Sequence, residues 1–254
     1  MNNSPFSLSG KTALVTGGSR GIGLAIAKAL AENGADVAIL ARDKKRLAAA
    51  KKQLRCKKAW TFAYDLEKTE RIEKIFNAIV KETGGIDILV NCAGATIRAK
   101  AEDITTESFE NIMNINLTAV LKISQAFCRH HIKTGEGGKI INIGSLMCHG
   151  ARPTTAAYAA SKGGLLMLTK SLAVEWAKYG INVNAAGPGY IATELTKPLR
   201  EDKKFNKWVI SKTPLGRWGQ PEDIAATAVF LASPASDFIT GQIIYIDGGW
   251  LAAL

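Results

Sequence analysis

Short runs of hydrophobic residues alternate along this 254-residue chain with longer segments in which apolar residues recur every three or four positions. The short runs are typical of strands that are buried on both faces, and the longer segments are typical of amphipathic helices. Regular alternation of the two predicts βαβ units around a parallel sheet. Seven strands are predicted, over residues 12–15, 36–41, 60–64, 86–90, 139–143, 181–185 and 242–247.

The predicted fold is α/β, with a doubly wound, seven-stranded parallel sheet and helices on both faces. No internal repeat, low-complexity tract or Pro/Ser-rich linker interrupts the chain, so residues 1–254 are predicted to form a single domain. The segment at about 190–215 is polar and partly helical in its pattern, and it contains Trp208. We predict that this segment is a mobile lid over a substrate.

A glycine-rich turn, Thr16-Gly-Gly-Ser-Arg-Gly-Ile-Gly23, separates the first predicted strand from a helical pattern. Glycine lets the backbone approach a pyrophosphate, and a helix N-terminus offers unpaired N–H groups to it. The spacing is not the common G-x-G-x-x-G, and glycine turns without ligands exist, but the strand before and the helix after favour a dinucleotide-binding domain. The residues predicted to contact the cofactor here are Gly17, Ser19, Arg20, Gly21, Ile22 and Gly23.

The end of the second strand indicates which dinucleotide binds. An acidic residue usually holds a free ribose 2′-hydroxyl at this position. This chain instead has Ala41 followed by Arg42, with Arg20 close by in the glycine turn. Two guanidinium groups suit a 2′-phosphate, so we predict NADP(H) as the cofactor, the alternative being two surface arginines without a ligand.

Later strand ends supply further candidate contacts to the cofactor. Asp65 is placed to accept a hydrogen bond from the adenine amino group, and the small residues at 91–94 leave room for a flat ribose or adenine. The segment 187–193 is predicted to lie over the cofactor, with Thr193 bonding the carboxamide. The predicted contacts of these segments are Asp65, Leu66, Asn91, Ala93, Gly94, Pro188, Gly189, Ile191 and Thr193.

Tyr158 and Lys162 lie four residues apart at the start of a long apolar helical pattern, which puts them one turn apart on one helix face. An ammonium beside a phenol stabilises the phenolate, so such a tyrosine can exchange a proton with a substrate oxygen near neutral pH. Ser145 follows a predicted buried strand and is expected to bond the same oxygen. Asn116, inside the helical pattern over 108–131, either bends that helix and holds a water beside Lys162 or is a satisfied core amide.

Composition narrows the class of protein. Hydrophobic residues make up 47% of the chain, which is enough for a large core. The chain contains no run of 18 apolar residues, so no membrane-spanning helix is predicted. The first ten residues lack the basic and apolar regions of a signal peptide. Four scattered cysteines without a C-x-x-C motif argue against metal binding and disulfides. We therefore predict a cytoplasmic protein with no metal and no membrane association.

The formal net charge of +11 is compatible with nucleic acid, an acidic partner or a polyanionic cofactor. The lysines are spread along the chain, with modest clusters at 42–46 and 51–58, and no basic stripe is interleaved with aromatic residues. A solvated basic surface is therefore the preferred interpretation, and we predict no nucleic-acid partner.

Taken together, these residues resemble the short-chain dehydrogenase/reductase family from about residue 11 to residue 249. One departure is Cys92, where the family usually has a second Asn at a structural position. The matching motifs are Thr16-Gly-x-x-x-Gly-x-Gly23, Asn91-x-Ala-Gly94, Asn116, Ser145, Tyr158-x-x-x-Lys162 and Pro188-Gly189.

The resemblance implies a Rossmann-type sheet, hydride transfer between nicotinamide C4 and a carbonyl carbon, and a homotetramer with four-helix interfaces. It implies that Tyr158 is the general acid in reduction and the base in oxidation. It also implies that Tyr158 and Lys162 contact the cofactor, and that Lys162 assists Tyr158 and binds the nicotinamide ribose. It further implies that Ser145 polarises the carbonyl and that Asn116 holds a proton-relay water.

The C-terminal third resembles the branch that contains gluconate 5-dehydrogenases and 2-deoxygluconate 3-dehydrogenases. Arg98 and Arg152 are placed where the carboxylate of a sugar acid could be clamped, and Tyr190 is a third candidate substrate contact. Solvent exposure of both arginines is the alternative. A 3-oxoacyl-[acyl-carrier-protein] reductase, whose basic surface would face an acidic carrier, and a generic ketone reductase similar to tropinone reductases remain open. A non-catalytic NADPH-binding protein is disfavoured, because the tyrosine, lysine, serine and glycine turn are all intact.

Overall fold

The computed structural model describes residues 4–253, and its framework is one seven-stranded, all-parallel sheet with the strand order β3-β2-β1-β4-β5-β6-β7. The predicted α/β class, the parallel sheet and the number of strands are confirmed. The strands are β1 (Thr12–Thr16), β2 (Asp36–Ala41), β3 (Ala59–Ala63), β4 (Ile88–Asn91), β5 (Gly138–Ile143), β6 (Ile181–Pro188) and β7 (Ile243–Ile246).

Helices connect the strands and cover both faces of the sheet. The α-helices within residues 4–253 are α1 (Gly21–Glu32), α2 (Lys44–Lys51), α3 (Ile72–Thr83), α4 (Thr106–Met113), α5 (Ala119–Thr134), α6 (Ala156–Trp176), α7 (Lys197–Glu201), α8 (Lys203–Lys212) and α9 (Pro221–Ala232). A π-helical turn, Asn114–Thr118, joins α4 to α5.

Two hydrophobic cores lie on opposite sides of the sheet because successive strand residues face opposite ways. Val15 and Val90 belong to the core under α1, α2 and α9. Leu14 and Leu89 belong to the core under α3, α5 and α6. This division makes the sheet doubly wound, as predicted, and explains why its strands read as continuous hydrophobic runs.

The strand order reverses between β1 and β4. From β1 the chain builds outward through β2 and β3, and it then returns to the other side of β1 to add β4 through β7. In open α/β sheets, ligands bind in the crevice that this reversal leaves at the carboxyl ends of the strands. The fold therefore predicts a ligand-binding site at the segments that follow β1 and β4.

Two element boundaries differ from the predictions. The strand predicted to end at residue 185 continues to Pro188, because β7 pairs with it as far as Pro188 opposite Ile246. The helix predicted over 108–131 extends from Thr106 to Thr134 but is interrupted by the π turn. Within the described residues, no helix is long and apolar enough to cross a membrane.

Candidate active site

A cavity of about 490 Å³ opens at the carboxyl ends of six strands, over the point where the strand order reverses. Arg42 and Asp65, at the ends of β2 and β3, line one side of it. Ser145, Tyr158 and Lys162, which follow β5, line the other side. The cavity thus joins the residues predicted to select the cofactor to those predicted to exchange a proton.

Nearly all residues predicted to contact a cofactor line this one cavity. These are Gly17, Ser19, Arg20, Gly21, Ile22, Gly23, Arg42, Asp65, Leu66, Ala93, Gly94, Tyr158, Lys162, Pro188, Gly189, Ile191 and Thr193. Cys92, where the family usually has Asn, also lines it.

Asn91 is the exception and does not line the cavity. Its side chain is buried and donates to Asn142 Oδ1 at 2.9 Å and to Ser124 Oγ at 3.2 Å. Asn142 in turn donates to Thr169 Oγ1 of α6 at 2.9 Å. As the last residue of β4, Asn91 turns its side chain toward α5 and α6, so the structure places it in the packing beneath the cavity.

The glycine turn after β1 packs tightly against its own backbone and against the loop after β4 where it lines the cavity. A Cβ at Gly23 would lie 2.4 Å from the carbonyl oxygen of Gly17, and a Cβ at Gly17 would lie 3.0 Å from the backbone of Ala93. The first turn of α1 contains no acidic residue, and Arg20 at its N-cap makes no side-chain capping bond. Its N–H groups are therefore available to an anion, which fits the phosphates of a dinucleotide.

Three arginines line the adenosine side of the cavity. Arg42 Nη1 lies 3.4 Å from Glu67 Oε1 and 3.9 Å from Asp65 Oδ2. Arg20 instead pairs with Glu194, and so does Arg46, a residue that the sequence analysis did not single out. The only signal for Arg46 was its position four residues after Arg42 in a basic cluster.

Tyr158 and Lys162 lie on the first two turns of α6, with Lys162 Nζ 5.7 Å from the centroid of the Tyr158 ring. Lys162 is only 6% exposed and donates to the carbonyl oxygen of Ile143 at 2.7 Å. Ser145 Oγ accepts from the backbone N–H of Met147 at 3.2 Å, which leaves the hydroxyl proton free to donate into the cavity. The predicted helix face and strand end are thus brought together.

Asn116 occupies the π turn and lies outside the cavity lining. Its Oδ1 accepts from Ala95 N at 2.9 Å, and its Nδ2 donates to Ala95 O at 2.9 Å and to Ser161 Oγ at 3.0 Å. The helix is irregular at this residue, and the amide is also satisfied within the core, so features of both predicted alternatives are present. The side chain joins the loop after β4 to the residue preceding Lys162. Both side-chain N–H donors are used within the protein.

Arg98, Arg152 and Tyr190 are brought together outside the lining of the main cavity. The Arg152 guanidinium carbon lies 4.9 Å from the Phe205 ring centroid, and that of Arg98 lies 5.6 Å from the same ring. Arg152 also stacks on Trp208 at 4.4 Å and donates to the Tyr190 hydroxyl. Within residues 4–253, neither arginine has an acidic partner within 4.0 Å.

An aromatic cluster lies beside the Arg152 guanidinium, which contacts three of its rings. Burial raises the pKa of the Tyr190 phenol, although the nearby Arg152 opposes this effect. Tyr190 and Trp208 were predicted from the sequence as a substrate contact and a lid residue. The other members were not, and their only signal was the concentration of aromatic residues between 190 and 250. The cluster consists of Tyr190, Phe205, Trp208, Trp218 and Trp250.

Thr154 connects the two arginine segments. It has a φ of 69°, the only left-handed non-glycine residue in the described part of the chain, and this conformation is costly for a β-branched side chain. Its carbonyl oxygen accepts from Ala99 N at 3.3 Å. This bond holds the loop of Arg98 against the turn of Arg152, directly before the helix that carries Tyr158.

Comparison with known proteins gives matches along almost the whole chain. A family model described as enoyl-(acyl carrier protein) reductase matches residues 17–251. A 2-dehydro-3-deoxy-D-gluconate 5-dehydrogenase of Bacillus subtilis is 48% identical, and the match covers 97% of each chain. A gluconate 5-dehydrogenase of Gluconobacter oxydans is 43% identical, with 98% of each chain covered.

A solved structure extends the likeness to the backbone. The gluconate 5-dehydrogenase of Burkholderia cenocepacia, crystallised with NADP and tartrate, is 41% identical, with 98% of each chain covered and a TM-score of 0.94. Agreement of motifs, length and fold at these identities shows that the chain belongs to the short-chain dehydrogenase/reductase family of oxidoreductases.

Proposed function

We propose that this protein is an NADP(H)-dependent dehydrogenase that interconverts a ketone and a secondary alcohol on a sugar acid, in the manner of a gluconate 5-dehydrogenase. The observation that carries the substrate class is the pair Arg98 and Arg152. Both are without an acidic partner in the described chain, and both are held over the ring of Phe205. Two unneutralised guanidiniums at one place favour a carboxylate ligand.

The cofactor assignment is supported by the cavity and by a relative. Arg20, Arg42 and Arg46 line its adenosine side, where a 2′-phosphate would distinguish NADP(H) from NAD(H). The Burkholderia cenocepacia enzyme was crystallised with NADP. When bound, NADP(H) supplies or accepts the hydride at its nicotinamide ring. The glycine turn and the N-terminus of α1 would hold its pyrophosphate, and Thr193 would bond its carboxamide.

Proton transfer is assigned to Tyr158. In reduction its hydroxyl gives a proton to the carbonyl oxygen of the substrate, and in oxidation it takes that proton back. The buried ammonium of Lys162, held by the Ile143 carbonyl, stabilises the phenolate that remains. The free hydroxyl proton of Ser145 binds the same substrate oxygen and stabilises the charge that develops there.

Asn116 is proposed to position this machinery. Its bonds to Ala95 and Ser161 fix the helix break beside the lysine. Because both N–H donors of its amide are already used, a relay water beside Lys162 would be bound mainly by other atoms of the π turn. The side chain of Asn116 therefore acts through the shape that it gives to this turn.

The segment at about 190–215 is proposed to be the substrate lid. It contains α7 and α8, and α8 carries Phe205 and Trp208 to the Arg152 guanidinium. A lid anchored in this way would cover a bound sugar acid while its carboxylate reaches the two arginines. Tyr190, at the base of the lid, orients Arg152 through its hydroxyl.

Steady-state assays with the purified protein test the proposed function. We expect NADPH oxidation with 5-ketogluconate, measured as loss of nicotinamide absorbance, and much slower oxidation with an acetoacetyl thioester or a neutral cyclic ketone. NADH should be a poorer reductant. Activity confined to the thioester would contradict the sugar-acid assignment and favour acyl-carrier reduction instead.

A homotetramer is proposed as the assembled form. The apolar helix α6 exposes Met167 (58%) and Val174 (81%), and such side chains on one helix are suited to packing against a second copy. The mass in solution, measured by light scattering, is expected to equal that of four 27.2-kDa chains. A mass equal to one chain would contradict the proposal.

A cytoplasmic location is also proposed, and the state of the thiols supports it. All four cysteines, Cys56, Cys92, Cys128 and Cys148, are free in the structure. Free thiols persist in a reducing compartment. Recovery of the protein in a periplasmic or secreted fraction would contradict this location.

A further inference from the structure

A single carboxylate joins two of the three cavity arginines. Glu194 Oε2 accepts from Arg20 Nη1 at 2.8 Å and from Arg46 Nη1 at 3.2 Å. Arg20 belongs to the glycine turn after β1, Arg46 to α2, and Glu194 to the segment after β6. The carboxylate therefore joins two segments that are distant from it in the sequence, and all three side chains line the cavity.

Glu194 uses the same guanidinium donors that a phosphate would use. Carboxylate and phosphate oxygens both accept from the forked N–H groups of arginine, and they compete for them. Arg42 pairs with Asp65 and Glu67 instead, so Glu194 occupies Arg20 and Arg46, and Arg46 Nε also lies 3.5 Å from Asp43 Oδ2. The hydrogen bond from Arg20, and then the charge of Arg46, lower the pKa of the Glu194 carboxyl, so it is ionised at neutral pH.

We propose that Glu194 is an internal competitor for the 2′-phosphate of the cofactor, which must displace it from Arg20 and Arg46 on binding. This inference rests on the proposed use of NADP(H). It makes Glu194 a specificity-determining residue, because NADH carries no 2′-phosphate and has no need of these two guanidiniums. The competition weakens NADP(H) binding but leaves NAD(H) binding unchanged.

The solvent exposure of these three charged side chains limits how much Glu194 can weaken NADP(H) binding. Glu194, Arg20 and Arg46 are roughly half to two-thirds exposed, so water screens their attraction and the competition is modest. We expect Glu194→Gln, which keeps the shape and removes the charge, to bind NADP⁺ about three- to tenfold more tightly at low salt. The gain should shrink as salt is added, because exposed charges are screened over about 10 Å at 0.1 M.

Isothermal titration calorimetry on the full chain tests this directly, without turnover. NADP⁺, NAD⁺ and 2′,5′-ADP are titrated into the wild type, Glu194→Gln and the control Glu73→Gln. Glu73 of α3 pairs with Arg129 of α5 at 3.1 Å, and neither residue lines the cavity. This control therefore removes the same charge from another exposed Glu–Arg pair. We expect tighter NADP⁺ and 2′,5′-ADP binding only for Glu194→Gln, with NAD⁺ unaffected.

Other outcomes overturn the inference in distinguishable ways. Equal tightening of NAD⁺, or the same tightening in Glu73→Gln, would show a general effect of net charge. Weaker binding of both dinucleotides by Glu194→Gln would show that Glu194 stabilises the bound cofactor and does not compete with it. If the wild type bound neither NADP⁺ nor 2′,5′-ADP, the cofactor assignment itself would fail. If Arg42→Ala weakens NADP⁺ far more than NAD⁺, the assignment stands whatever Glu194 does.

Discussion

Replacing Tyr158 with phenylalanine is expected to lower the turnover number by about 10²- to 10⁴-fold, the usual contribution of a positioned general acid or base. The ring remains one turn from Lys162 and lines the same cavity, so its packing is kept. What is lost is the hydroxyl that gives the proton to the substrate oxygen. Steady-state turnover with 5-ketogluconate and NADPH measures the effect.

Two controls separate chemistry from binding in this experiment. Calorimetric titration of NADP⁺ into Tyr158→Phe should give the wild-type affinity. Tyr179→Phe removes the hydroxyl of another tyrosine beside a lysine, since Lys178 Nζ lies 5.0 Å from that ring, but Tyr179 does not line the cavity. Near-normal turnover of Tyr158→Phe would exclude the tyrosine as the proton donor.

Replacing Arg152 with alanine is expected to raise the KM for 5-ketogluconate roughly 10- to 100-fold, in line with the loss of a hydrogen bond to a charged group. The guanidinium lies over Trp208 and Phe205 and donates through Nη1 to the Tyr190 hydroxyl, which positions it and leaves its Nε and Nη2 donors for a carboxylate. A neutral ketone has no carboxylate to bind the Arg152 guanidinium, so its KM and kcat should change little. Initial-rate measurements on both substrates provide the comparison.

Arg152→Lys tests whether geometry matters in addition to charge. Lysine keeps the positive charge but loses the planar fork, so partial recovery of KM is expected. Because Arg152 also packs in the aromatic cluster, the melting temperature of each variant must be compared with that of the wild type. An equal loss of kcat/KM for the keto acid and the neutral ketone would contradict a carboxylate contact and indicate a disturbed lid.

The strands and the glycine turn were predictable because their signals are local. Parallel strands buried on both faces must be hydrophobic at every position, and the run from Ile88 to Val90 shows this without any knowledge of its neighbours. The spacing of Tyr158 and Lys162 depends only on helix geometry. Residues whose position follows from one element could therefore be assigned in advance.

Side-chain contacts between residues far apart in the chain left no comparable signal in the sequence. Glu194 meets Arg20 across 174 residues, and only the assembled sheet brings their two segments to one cavity. The aromatic cluster combines side chains from the segment after β6, from α8, from the segment between α8 and α9 and from the segment after β7, so its members are scattered through the sequence. Asn91 was assigned to the cavity because the direction of the last side chain of a strand cannot be obtained from the hydrophobic run.

The amide chain beneath the cavity has a consequence for how the sheet assembles. If β4 and β5 slipped by two residues, every hydrophobic side chain would still face its proper core, so hydrophobicity alone would barely oppose the error. In the native alignment Asn91 lies directly opposite Asn142, and their side chains bond. A slip would break this bond, at about 1–3 kcal/mol for each buried group left unpaired, although Asn91 would keep Ser124 and Asn142 would keep Thr169 as partners. This polar pair therefore favours the native register of β4 and β5 over one shifted by two residues.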